Sequence, residues 1–115
     1  VKKTVNALGI SSLPKLTSRT STLISADTAE KVAELMAYNV EATYGTTRFP
    51  NMDLCAKSGT AEIGEGKTPH AWFAGFLRNE EAPYAFVVLV ENGGGGNSVA
   101  GPVAGRVLNI MVNGY

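Results

Sequence analysis

The chain has 115 residues, 44% of them apolar and 17% charged, a globular composition that excludes an intrinsically disordered chain. Ten basic residues balance ten acidic ones without any Lys/Arg cluster, so nothing favours nucleic acid as a partner. A single cysteine excludes an internal disulfide, one cysteine and one histidine do not make a zinc site, and no stretch approaches the roughly 18 apolar residues of a membrane span.

The first 41 residues predict the tail of one helix, a Ser- and Thr-rich loop and a second helix. Residues 1–8 are interpreted as the tail of a helix that stops at Gly9, and residues 10–25 as loop with a strand near 13–16. A helix is expected over residues 27–41, with Asp27 as its cap and Glu30 at the spacing of a capping box. Apolar residues recur there at helical spacing: Ala29, Val32, Ala33, Leu35, Met36 and Val40.

Three strands are predicted next, over residues 53–63, 70–78 and 84–91. The third is almost unbroken β-branched and aromatic sequence, the pattern of a strand that is buried on both faces. Residues 79–83 suit the loop of an antiparallel hairpin. Cys55, inside the first strand, is interpreted as a small buried hydrophobic residue.

The chain closes with a run of glycines and a second helix. Residues 98–112 carry apolar side chains at helical spacing, and Pro102 fits only in the first turn. The predicted order is therefore a helix, three antiparallel strands and a closing C-terminal helix. This is an α+β fold in which helices pack on a small sheet.

Four consecutive residues in the first strand are the main candidates for chemistry: Lys57, Ser58, Gly59 and Thr60. A cation beside a small hydroxyl group can bind a carboxylate, and a glycine allows another backbone to approach closely. An edge strand can also pair with an extended peptide, and a backbone N–H beyond the glycine can stabilise an oxyanion. Taken alone, the four residues are better explained as a surface strand with a glycine bulge.

Other motifs favour structural interpretations. Gly66-Lys67-Thr68 resembles the end of a phosphate-binding loop, but the glycine required five positions earlier is Ala61. His70 has no partner motif and is interpreted as a strand-edge residue. The glycine run reads as a flexible turn, and the acidic residues near 62–65 as a solvated loop.

The longer segment Ala56-Lys57-Ser58-Gly59-Thr60-Ala61-Glu62 resembles the Lys-Thr/Ser-Gly strand of penicillin-binding transpeptidases, the third active-site motif of that superfamily. Residues 70–76 resemble the next strand of the family, residues 84–92 the strand and loop that follow, and residues 98–109 the closing helix. Residues 24–36 and 6–16 resemble the helix and the link that come before. The resemblance implies that residues 1–115 are the C-terminal part of a transpeptidase domain.

The resemblance assigns a role to each motif residue. It implies that Lys57, Ser58 and Thr60 bind the terminal carboxylate of the substrate and that Gly59 gives the substrate room. The backbone N–H of Thr60 would be one oxyanion donor. Ser58 stands where many relatives have threonine, and this departure keeps the hydroxyl group.

No nucleophile is found in this chain. Ser12 and Lys15 match the S-x-x-K spacing, but Pro14 between them prevents the helical turn that the motif needs. No Ser-x-Asn sequence occurs. We therefore expect a piece of a longer enzyme that supplies a substrate-binding strand and is inactive alone.

For the complete enzyme, the resemblance implies a serine DD-transpeptidase that cross-links peptidoglycan stem peptides, binds β-lactams and faces the outside of the bacterial cytoplasmic membrane. No metal or organic cofactor is implied. A β-lactamase or carboxypeptidase shares the motif, and a non-catalytic peptide-binding or sensory module is an alternative of a different class. Removing the N-terminal part of the domain is expected to expose apolar surface, so self-association is a further hypothesis.

Overall fold

The computed structural model describes residues 21–114 and shows an α+β architecture. Helix α1 spans Ala26–Asn39 and helix α2 spans Gly101–Asn113, and between them lie strands β1 (Leu54–Ala61), β2 (His70–Leu77) and β3 (Ala85–Val90). The predicted order of helices and strands is confirmed. The predicted helix at 1–8, the strand near 13–16 and the Ser12/Lys15 pair lie outside the described residues.

The N-cap of helix α1 lies two residues before the predicted cap. The Oγ of Ser25 accepts a hydrogen bond from the backbone N–H of Thr28 at 3.2 Å, so Ser25 is the N-cap. The prediction that Asp27 caps the helix is wrong. Asp27 lies in the first turn, where a carboxylate is favourable, and pairs with Lys31 at 2.8 Å.

A π-helical turn, Val40–Tyr44, continues α1 and turns the chain towards the sheet. Gly45 ends this turn with φ +85°, a left-handed conformation that suits glycine. A short 3₁₀ turn, Thr46–Arg48, then leads to Phe49, which is only 3% exposed. The loop before β1 therefore contributes to the core.

The sheet has the order β1-β2-β3, and both pairings are antiparallel. β2 is the central strand, and β1 lies at one edge of the sheet in the part of the chain that the structure describes. Residues 78–84 connect β2 to β3, with the N–H of Leu77 bonded to the carbonyl of Tyr84 at 2.9 Å. The predicted antiparallel hairpin is confirmed.

Phe73 of β2 lies at the centre of the core and is fully buried. Its ring meets Tyr44 edge-on at 4.9 Å between centroids and stacks on Phe49 at 5.7 Å and on Phe86 at 6.2 Å. Aromatic pairs at these distances stabilise a core beyond the area that they bury. A second π-helical turn, Gly96–Ala100, comes directly before α2, and its Ala100 together with Ala104 of α2 completes this cluster.

Cys55 lies on the other face of β1, because successive residues of a strand point to opposite faces. It is fully buried, and its thiol donates to the carbonyl of Ala33 in α1 at 3.3 Å. Burial raises the pKa of this thiol. The interpretation of Cys55 as a small buried hydrophobic residue is confirmed.

Strand β3 is not buried on both faces, contrary to the prediction. Val87 is 62% exposed and Leu89 is 43% exposed, while the alternate residues Phe86 and Val88 pack against the core. The outer side of α2 is similarly open, with Ile110 65% exposed. The apolar sequence thus predicted the strand correctly, but within residues 21–114 only one face of it is covered.

The helices within residues 21–114 lack the combination of length and hydropathy that a transmembrane segment requires.

Candidate functional site

The four motif residues occupy the middle of β1, opposite the central strand. Their partners in β2 are Ala74 for Lys57, Phe73 for Ser58, Trp72 for Gly59 and Ala71 for Thr60. Lys57 and Thr60 are exposed, whereas Ser58 and Gly59 are half-buried. The motif is therefore accessible at the edge of the sheet, while its neighbours in β2 anchor it to the core.

Within residues 21–114, no acidic side chain neutralises the cationic group of Lys57. Its Nζ donates to the carbonyl oxygen of Ser58 at 2.6 Å, and it forms no ion pair with any carboxylate in the described part of the chain. An exposed ammonium group of this kind is available to an anionic ligand. Exposure to solvent limits the strength of such a contact unless the ligand also excludes water.

Two hydrogen bonds show which backbone groups of β1 point away from β2, towards the free edge of the sheet, which no other strand covers in the described residues. The N–H of Ser58 donates to the Tyr44 hydroxyl at 2.7 Å, and the carbonyl of Ala56 accepts from the Asn39 side chain at 3.4 Å. In an antiparallel strand, backbone groups two residues apart point to the same side. The N–H of Thr60 accordingly points to this same edge, where an incoming group can reach it.

The side chains of Ser58 and Thr60 make different hydrogen bonds. The Oγ of Ser58 accepts from the Tyr44 hydroxyl at 3.0 Å, and the Oγ1 of Thr60 accepts from the N–H of Gly96 at 3.4 Å. Tyr44 and Gly96 both belong to segments outside the sheet. The motif strand is thus held from one side by the turn after α1 and from the other end by the turn before α2.

The glycine run packs against the motif strand. A Cβ atom at Gly96 would lie 2.4 Å from the carbonyl oxygens of both Gly59 and Trp72, so only glycine fits there without displacement. The N–H of Gly93 donates to Val90 and that of Gly94 to Pro69. These N–H groups bond to backbone carbonyls of the protein itself, as expected of a turn.

Two other sequence candidates lie away from the motif chemistry. His70 begins β2, and its Nδ1 accepts from the N–H of Asn92 at 2.9 Å, as expected for a strand-edge residue. The loop that contains Glu62 and Glu65 is exposed at both carboxylates. Residues 21–114 contain no group of three or more His, Cys, Asp and Glu side chains suited to a metal ion.

Sequence reasoning missed Asn39 and Tyr44, which the structure brings to the motif. Both lie fourteen or more positions before the residues of β1 that they contact, a separation over which local sequence patterns predict no contact. The local sequence signal at Tyr44 is that this aromatic residue comes directly before a glycine, Gly45. Such a pair predicts a turn, but it does not predict which residue Tyr44 contacts.

Comparison with known families matches residues 6–109 to the penicillin binding protein transpeptidase domain. A peptidoglycan D,D-transpeptidase, PbpA of Mycobacterium tuberculosis, is 30% identical over 99 residues, which cover 79% of this chain and 20% of that protein. The peptidoglycan D,D-transpeptidase MrdA of Haemophilus influenzae is 30% identical over 76 residues, covering 66% of this chain and 12% of that protein.

Solved structures show the same fold. A ceftriaxone acyl-enzyme complex of penicillin-binding protein A from M. tuberculosis matches with a TM-score of 0.70 and 26% identity, over 96% of this chain and 27% of that chain. The D,D-transpeptidase domain of a peptidoglycan glycosyltransferase from Eggerthella lenta matches with a TM-score of 0.62 and 27% identity, over 98% and 27% of the two chains. The present chain therefore spans between about an eighth and about a quarter of the length of these four chains.

Proposed function

The chain belongs to the penicillin-binding protein transpeptidase domain family, and from this premise we propose that it is the C-terminal part of a peptidoglycan D,D-transpeptidase domain. The observation that carries the proposal is the position of Lys57, Ser58, Gly59 and Thr60 at an open sheet edge, with a cation that no described carboxylate neutralises. The relatives that bear this activity cover most of the chain.

In the proposed reaction, a serine supplied by the remainder of the enzyme attacks the carbonyl carbon between the last two D-alanine residues of a stem peptide. The peptide C–N bond breaks, the terminal D-alanine leaves with a proton, and an acyl-serine ester remains. An amine of a neighbouring stem peptide then attacks this ester, which restores the serine and forms the cross-link. A β-lactam acylates the same serine by opening its ring.

We propose that the substrate carboxylate is bound by Lys57, Ser58 and Thr60. The ammonium group supplies charge, and two hydroxyl groups on the same strand supply directional hydrogen-bond donors. The N–H of Thr60 is proposed as an oxyanion donor because it points to the free edge, where the carbonyl oxygen develops negative charge. Gly59 leaves the space beside the strand open to the substrate backbone.

This assignment makes residues 21–114 a substrate-binding wall without a nucleophile. The described residues contain no Ser–Lys pair on one helical turn, so the chain by itself is proposed to be inactive. The nucleophile and the anchor to the extracytoplasmic face of the membrane would come from the remainder of the enzyme.

The exposed apolar residues of β3 and α2 support a large contact with that remainder. Val87 and Leu89 are exposed on the face of β3 opposite to the core residues Phe86 and Val88, and Ile110 is exposed on α2. We propose that the rest of the domain covers this surface, since the solved relatives are about four times longer than the matched region. In the isolated chain the same surface is proposed to drive self-association, which light scattering across a concentration series would detect.

The proposal is tested by labelling with a fluorescent penicillin, applied side by side to this chain and to the complete product of its gene, followed by peptide mass spectrometry. Labelling of the complete product alone, at a serine outside residues 1–115, is the expected result. Labelling of the chain itself would overturn the assignment of the nucleophile. If neither is labelled, a non-catalytic peptide-binding module replaces the enzyme.

Assays of the complete gene product also distinguish a transpeptidase from a carboxypeptidase and from a β-lactamase. Incubation with a stem-peptide donor and an amine acceptor is expected to give the cross-linked product. Release of D-alanine without cross-linking would identify a carboxypeptidase. Rapid hydrolysis of the penicilloyl ester would identify a β-lactamase.

A further inference from the structure

Tyr44 is a buried residue whose hydroxyl group reaches the candidate carboxylate site. Only 5% of it is exposed, and its ring is fixed edge-on against Phe73, the β2 partner of Ser58. It ends the π-helical turn that follows α1, and this turn carries its hydroxyl to the free edge of β1. The hydroxyl is therefore held in one place relative to the motif.

The hydrogen bonds of this hydroxyl have a fixed direction. Its oxygen accepts from the side-chain amide of Asn39 at 2.6 Å and from the backbone N–H of Ser58 at 2.7 Å. The Asn39 amide nitrogen also donates to the carbonyl of Ala56, which can only accept, so the amide orientation is determined. With both lone pairs of the phenol oxygen engaged, its one hydrogen is donated to the Oγ of Ser58 at 3.0 Å.

The hydroxyl of Ser58 consequently behaves as an acceptor towards Tyr44 and keeps its own hydrogen for another partner. A serine hydroxyl without such a neighbour can rotate and present either a hydrogen or a lone pair to a ligand. Here the chain of bonds from Asn39 through Tyr44 leaves it a donor. A donor at this position is complementary to a carboxylate oxygen, and the ammonium group of Lys57, which donates to the Ser58 carbonyl, adds positive charge near the same residue.

We propose that Tyr44 is a positioning residue that orients the Ser58 hydroxyl as a hydrogen-bond donor to the carboxylate of the substrate or β-lactam. This inference rests on the proposed function, because it takes Ser58 to contact that carboxylate. It adds a residue outside the motif, supplied by the turn after α1. Asn39 supports it by occupying one acceptor position of the phenol oxygen.

The test uses the complete gene product and measures, by stopped flow, the dissociation constant of the non-covalent penicillin complex separately from the acylation rate constant. Benzylpenicillin is compared with its methyl ester, which lacks the carboxylate charge. Tyr44→Phe removes one oxygen atom and keeps the ring. Tyr38→Phe is the matched control, since Tyr38 is 68% exposed on α1. Ser58→Ala and the double variant complete a thermodynamic cycle, and Ser58→Thr keeps the hydroxyl group.

Tyr44→Phe is expected to weaken binding of benzylpenicillin about 10-fold, the effect of losing one oriented hydrogen bond to a charged group, and to leave the ester nearly unchanged. The double variant should bind no more weakly than Ser58→Ala, because Tyr44 acts through Ser58. Ser58→Thr should retain the discrimination between acid and ester. Tyr38→Phe should behave as the unmodified protein.

Different results overturn the two levels of the argument. Suppose that Ser58→Ala weakens binding of benzylpenicillin more than binding of the methyl ester. If Tyr44→Phe then weakens binding of both compounds equally, or if its effect adds to that of Ser58→Ala, the positioning role is wrong and the carboxylate site stands. If Ser58→Ala weakens binding of both compounds equally, the carboxylate site itself is wrong. Amide hydrogen exchange supplies a second check without substitution: slow exchange is expected at Ser58, whose N–H donates to Tyr44, and fast exchange would contradict the bond.

Discussion

Replacing Gly96 with alanine tests how closely the glycine run packs on the motif strand. The new Cβ would lie 2.4 Å from the carbonyl oxygens of Gly59 and Trp72 and 2.8 Å from the nitrogen of Gly59. Ordinary contacts begin near 3.4 Å, so β1 and the turn before α2 must separate by about 1 Å. Because the obstructing atoms belong to the backbone, no side-chain rotation relieves the clash.

The cost follows from two contributions. Overpacking a tight site costs about 1–3 kcal/mol, and the upper end applies because two backbone oxygens are met at once. Separation also weakens the hydrogen bond from the N–H of Gly96 to Thr60, a loss of about 1 kcal/mol. The free energy of unfolding should therefore fall by about 3–4 kcal/mol, and the melting temperature by at least about 12 °C for a chain of this size.

Urea unfolding followed by tryptophan fluorescence measures this effect, because Trp72 is the only tryptophan and its carbonyl is part of the contact. Gly94→Ala is the matched control within the same run. No atom lies within 4 Å of a Cβ there, and its φ of +86° imposes only a backbone strain of about 1–2 kcal/mol. Equal destabilisation by the two variants, or less at Gly96, would refute the packing argument.

Three further predictions concern other contacts. Arg48→Met should lower the free energy of unfolding by about 2 kcal/mol, because the guanidinium donates to the backbone and side-chain oxygens of Asn97 at 3.1 and 2.7 Å; unchanged urea unfolding would contradict this. Burial raises the pKa of the Cys55 thiol in the folded chain. The neutral thiol therefore contributes fully to the free energy of unfolding below roughly pH 8.5, the ordinary pKa of a thiol, and this contribution is lost as the pH rises through the raised pKa of the folded chain. The unmodified chain should therefore lose more stability between pH 8 and pH 10 than Cys55→Ala, and parallel profiles would count against this. Lys57→Ala in the complete gene product should slow penicillin labelling at least roughly 10-fold without changing the melting temperature by more than a few degrees, and labelling at the normal rate would exclude Lys57 from the carboxylate site.

The strands were predictable because their residues alternate or cluster in patterns that persist whatever surrounds them. The observed bounds of β2 and β3 lie within one residue of the predicted ones. The cap of α1 was misplaced because Ser25 and Asp27 are both good cap residues, and only the geometry shows which side chain reaches a free N–H. Local sequence does not decide between such neighbours.

The coverage of β3 and the environment of Ser58 depend on residues that are distant in sequence. A run such as 85–90 predicts a strand, but whether its outer face is covered depends on what other elements lie against it. The bond between Tyr44 and Ser58 joins residues fourteen positions apart through a π-helical turn that no periodicity predicts. The motif was therefore recognisable from the sequence, but its supporting contacts were not.

The order of the sheet also bears on how quickly the chain can fold. Each strand pairs with its neighbour in sequence, and the connections are only residues 62–69 and 78–84. Closing short loops costs little entropy, and sheets built from neighbouring hairpins reach their native pairing faster than sheets that require distant strands. The motif strand can consequently acquire its pairing with β2 as soon as both have been synthesised, so β1 can form its edge early in folding.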